Sequence, residues 1–175
     1  MLALHAGVFM VLSGMAFQDF RYRGIYWWMF PLLAMLLIGC VLQWISLEVM
    51  VCSVIKSCVF LTVQLVILTA YLSLKQKRLV NILTGFFGLG DLLFLIVLST
   101  RLSFLNYVVF YMASLMLVIG CTAVFIKKSA GQTHKIPLAG YQAIFLMLVI
   151  LIEWQVPALS LHSDDLLNKF MCYGY

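Results

Sequence analysis

The stretch from residue 83 to residue 100, LTGFFGLGDLLFLIVLST, is an apolar run broken by one carboxylate, Asp91, with Gly88 and Gly90 just before it. A helix of this length rises about 27 Å, close to the thickness of a bilayer's hydrocarbon layer, about 30 Å. The run therefore reads as a membrane span that carries an acid. Composition agrees. The 175-residue chain is 65% hydrophobic and only 10% charged, with a mean hydropathy of +1.12. Soluble domains are about 45–50% apolar, and too few polar residues remain here to coat a soluble surface.

On either side of this stretch, five further runs have spanning length. The expected spans are 2–18, 26–46, 51–74, 80–100, 104–126 and 137–157. In lipid each backbone polar group must be paired within the segment, so runs of this length are helices. The expected fold is all-α: a polytopic membrane bundle of about six helices. It forms one domain over 1–175, with a surface tail at 158–175. No basic segment precedes the first run, and it leads into QDFRYRG (18–24), so no cleavable signal peptide is expected.

The net charge of +5 sits in short clusters between the runs. Arg21 and Arg23 follow the first run, Lys75, Lys77 and Arg78 the third, and Lys127, Lys128 and Lys135 the fifth. These eight of eleven cations lie on one side of a six-span topology, and Lys56, Arg101 and Lys169 lie on the other. The positive-inside rule puts loops one, three and five in the cytoplasm and both termini outside. The partner implied by this charge is the bilayer, not nucleic acid. Tyr26, Trp27, Trp28 and Trp154 suit the membrane interfaces.

The five cysteines form no C-x-x-C pair and read as small hydrophobes. The histidines are not spaced as metal ligands, so neither metal nor cofactor is expected. Of the six acids, Glu48, Asp164 and Asp165 read as solvated, and Glu153 as snorkelling to the outer interface beside Trp154. Asp91 is different. An aspartate at a helix centre costs about 2.5–3.5 kcal/mol on insertion scales, so an acid inside a span is a candidate functional group. Asp19, at the cytoplasmic end of span one, is its possible partner. Two carboxylates at close range cannot both ionise easily. The ionised one can take a proton from water while the protonated one donates to a peptide carbonyl. Gly85, Gly88 and Gly90 weaken the helix before Asp91 and predict irregular backbone there. Without the acid, close helix packing would be the better explanation of the glycines.

GLGD at 88–91 resembles the GxGD motif of type IV prepilin peptidases and preflagellin peptidases. DFRYRGI at 19–25 resembles their first-aspartate motif, and KIPLAGYQAIFL at 135–146 their Ile-Pro entry into a late span. The resemblance runs from Asp19 to about Leu146. It implies an aspartic endopeptidase that removes the short N-terminal leader of pilin-like precursors at the cytoplasmic face of a prokaryotic inner membrane. Asp19 and Asp91 would be catalytic, and Gly88, Gly90, Arg21, Arg23 and Pro137 would bind substrate or shape the site. Tyr26 stands where the family often has proline, and Leu93 where it often has lysine. The four-cysteine zinc segment of longer members is lacking, so the resemblance does not extend to methyl transfer. Two other functions fit the residues: a small proton- or cation-coupled transporter subunit using Asp91, and a catalytically silent relative.

One geometric difficulty stands out. Asp91 follows Arg78 by about 20 Å of straight helix, whereas Asp19 lies at the membrane boundary. A pair of carboxylates therefore requires tilt, hydration or a break near Gly85–Gly90.

Overall fold

A computed structural model describes residues 2–77, 88–126, 138–156 and 160–163. Arg78, Gly85, Lys127, Lys128, Lys135, Pro137 and the tail from Asp164 onward lie outside the described residues. Among those described there are six helices and no strand. These are α1 (Leu2–Tyr22), α2 (Met29–Val41), α3 (Leu47–Gln76), α4 (Leu89–Leu98), α5 (Phe104–Ile126) and α6 (Leu138–Gln155). Four of them, α1, α3, α5 and α6, contain apolar stretches long enough to cross a membrane. The chain is a membrane helical bundle.

The other two expected spans are realised differently. α2 has 13 residues and α4 has 10, about 20 Å and 15 Å of helix. Both fall short of a hydrocarbon layer of about 30 Å. Turn bonds extend α2 at each end, from Met29 N to Tyr26 O and from Ile45 N to Val41 O. Together they occupy nearly the expected 26–46. Pro31 falls in the first turn of α2, where a missing N–H breaks no helical bond. α4 starts late because Gly88 is extended, with φ −71° and ψ 136°. The irregularity expected beside the acid is therefore present at Gly88.

Contacts fix how the helices run. Gly7 faces Leu36 and Gly14 faces Met29 across α1 and α2. The residue numbers fall on one side as they rise on the other, so the two helices are antiparallel. α1 and α6 follow the same rule, because Ser13 meets Met147 and Asp19 meets Gly140. Antiparallel packing of α5 on α6 pairs Phe110 with Phe145 and Ser114 with Gln142. The shared core contains Leu12, Met15, Leu33, Phe94, Leu95, Tyr107 and Leu146. α3 packs through Phe60 against Phe104, Tyr107 and Tyr111 of α5. Elsewhere it exposes Ile55, Val59, Val63 and Ile67, a surface suited to lipid.

This arrangement gathers the C-terminus of α1 and the N-termini of α4 and α6 at one end. The opposite end holds the C-terminus of α6, the turn after α4 and residues 160–163. Glu153 is not snorkelling there. It is mostly buried and bonds the Arg101 guanidinium at 2.5 Å, with Arg101 itself only 5% exposed. It also accepts a bond from Leu161 N. A carboxylate with a buried cation one helix away gains more from pairing than from reaching for water.

Candidate functional site

Asp91 is the third residue of α4, and its position there depends on where that helix begins. Gly88 is the N-cap, and its carbonyl accepts bonds from Asp91 N and Leu92 N. The Asp91 carboxylate reaches back to accept a bond from the Gly88 backbone, as the acidic partner of a capping box does. It also accepts Ala139 N at 2.8 Å through Oδ1. Asp19, on the last turn of α1 and 7% exposed, accepts Gly140 N at 2.6 Å through Oδ2.

The two carboxylates are thus held by consecutive amides at the start of α6. The first amides of any helix lack internal acceptors and carry partial positive charge, which favours anions. Backbone bond lengths keep consecutive amide nitrogens within about 3.7 Å of each other, so the two bonded oxygens lie within about 9 Å. The side chains interact electrostatically. The geometric difficulty is resolved because α4 is short. Asp91 sits at its beginning, not partway along a straight span.

Three glycines differ in what they do here. A Cβ on Gly140 would stand 3.1 Å from Asp19 Oδ2 and 3.1 Å from the Phe20 ring. Phe20 also stands edge-on to Tyr141, with centroids 5.0 Å apart. A Cβ on Gly88 would stand 2.8 Å from Asp91 Oδ2 and would displace that carboxylate. Gly90 is unlike these two. Its nearest neighbour would be Phe30 Cζ at 3.8 Å, an ordinary contact. Gly88 thus leaves no room for a side chain beside the Asp91 carboxylate, whereas Gly90 does.

Arg23 lies one helical turn beyond Asp19. Its left-handed backbone, φ 52°, ends α1, and its N–H bonds Asp19 O. Its charge acts on the Asp19 carboxylate. Arg21 is exposed and lies against the Tyr22 ring, 5.9 Å from its centroid. Leu93 is also exposed, on the outer side of α4 away from buried Phe94 and Leu95. Pro137 lies outside the described residues. Among the described residues no cluster of His, Cys, Asp or Glu could hold a metal ion.

Reading the sequence missed Ala139 and Gly140. The signal was available, because a helix starting after Ile136-Pro137 must present unpaired amides just there. Comparisons with protein-family models, with curated proteins and with solved structures gave no match.

Proposed function

We propose that this protein is a membrane aspartic endopeptidase that cleaves the short N-terminal leader of pilin-like precursors. The observation that carries the reading is the anchoring of Asp19 and Asp91 by adjacent amides of α6. An ion pair or a lone helix cap would not need two acids from separate helices at one helix terminus. Each carboxylate has about four lone-pair sites, so the amide bonds leave acceptor capacity for water and substrate. In the reaction, one ionised carboxylate removes a proton from water. That water attacks the scissile carbonyl carbon, and the protonated partner donates to the carbonyl oxygen. The amides keep both groups in place without adding a competing side-chain charge.

In this reading the site faces the cytoplasm of a prokaryotic inner membrane, with both chain termini outside. Arg21 and Arg23 at the C-terminal end of α1 obey the positive-inside rule. Anionic headgroups around that end would attract the basic leader. The sequence motifs at 19–25, 88–91 and 135–146 supply the substrate class by resemblance.

The test is cleavage of a panel of pilin-like precursors by purified protein in lipid. Asp19→Asn and Asp91→Asn each keep one oxygen to accept the α6 amide, so each variant should fold and insert. Loss of cleavage in both is expected. Cleavage by either variant at the wild-type rate would exclude the reading. Loss of a proton or cation flux on Asp91→Asn alone would instead indicate a transporter subunit.

A further inference from the structure

Gln142 is fully buried on the core face of α6, and its carboxamide is only half satisfied. Nε2 donates to Ser114 Oγ at 3.4 Å, whereas Oε1 has no partner among the described residues. Ser114 is itself buried, and its hydroxyl donates to Tyr111 O at 2.9 Å, which leaves its lone pairs to receive Nε2. Turning the carboxamide over would not help. Ser114 could then serve Oε1, but Nε2 would lose its acceptor. An unpaired amide end in an apolar interior is costly, and buried polar atoms almost always have a partner.

The position gives this orphan its interest. Gln142 follows Ala139 by three residues and so lies on the same helix face. Side chains of a helix lean toward its N-terminus, which here is the turn whose amides hold Asp91 and Asp19. The buried neighbours on that face are Ala139 and Leu146. Their side chains are apolar and cannot cap a carboxamide. A water molecule suits the vacant end whichever way the group is turned, because water both donates and accepts.

We infer that Gln142 and Ser114 bind an internal water molecule between α5 and α6, one turn below the amides that hold Asp19 and Asp91. The second half of the inference rests on the peptidase reading: this water keeps the site hydrated from the bundle side and helps to supply the molecule consumed in hydrolysis. Gln142 is then a positioning residue, acting through water and not on the substrate.

Nuclear magnetic resonance of the isotope-labelled wild-type protein in detergent tests the first half directly. The Gln142 carboxamide signals, assigned by their loss in Gln142→Leu, should show magnetisation transfer from water, as should exposed Gln43. Transfer to Gln43 but none to Gln142 would overturn the inference. The second half is read from cleavage kinetics. Gln142→Leu should lower kcat about tenfold with KM unchanged, and Ser114→Ala should lower it less. Unchanged kcat in both would break the link to the carboxylates. Ser114→Ala also covers the case in which Gln142→Leu does not fold. If the wild type cleaved no precursor, water transfer to Gln142 would still decide the hydration site, so the two failures are distinguishable.

Discussion

The two ends of the bundle treat buried carboxylates in opposite ways. At one end Glu153 faces the Arg101 guanidinium, and opposite charges cancel within one contact. At the other, two acids, Asp19 and Asp91, are held by backbone amides of α6. The first arrangement stabilises a fold, because breaking a buried pair leaves one charge uncompensated. The second keeps two acids together that would otherwise repel, which makes it the better place for proton transfer. The contrast also separates stability from chemistry: variants at one end should change melting, and variants at the other should change cleavage.

The largest effect is expected when the paired acids are altered together. Asp19→Asn, Asp91→Asn and the double variant should each lose cleavage by a similar factor, on the order of 10³ or more, since groups acting as one unit are not additive. Multiplying losses would break the unit apart. Next in size is Gly140→Val, whose side chain must push on Asp19 and Phe20. Misplacing a reacting group by about 1 Å can cost on the order of 100-fold, so cleavage should fall by about that factor in initial-rate assays. Gly88→Ala should lose about tenfold, because the added methyl displaces only the tip of Asp91. Gly90→Ala should stay within about twofold and gain a little helix stability.

At the other end, Glu153→Leu should destabilise the bundle by about 3–5 kcal/mol, read as a lower midpoint in denaturation. Arg101→Met with Glu153→Leu should recover most of that. Cleavage per folded molecule should be unchanged in both. A recovery of cleavage, and not of stability, in the double variant would show that this end is part of the site.

How much of this was legible in the sequence depends on range. Helices α5 and α6 could be placed within two residues, because long apolar runs have only one way to pair their backbone in lipid. Asp91 stood out because an acid in such a run is expensive. The shortness of α4 was half visible. The glycines marked the weak point, but their own conformations depend on what packs around them, so Gly88 and Gly90 could not be told apart. The Arg101–Glu153 pair was hidden for the same reason. It joins residues 52 positions apart, and neither carries a local motif. The amide clamp at Ala139 and Gly140 was hidden more deeply, because backbone groups have no signature in a sequence beyond the helix start that exposes them.

The proposed peptidase requires Asp19 and Asp91 to act as one hydrolytic pair. Mass spectrometry of a pilin-like precursor after incubation with the purified protein in lipid tests it most directly. The wild type should yield a new N-terminus just before the precursor's hydrophobic helix, and Asp19→Asn and Asp91→Asn should leave the precursor intact, all three proteins having the same helical content. The same product from either folded variant, or intact precursor with the wild type across the panel, would contradict it.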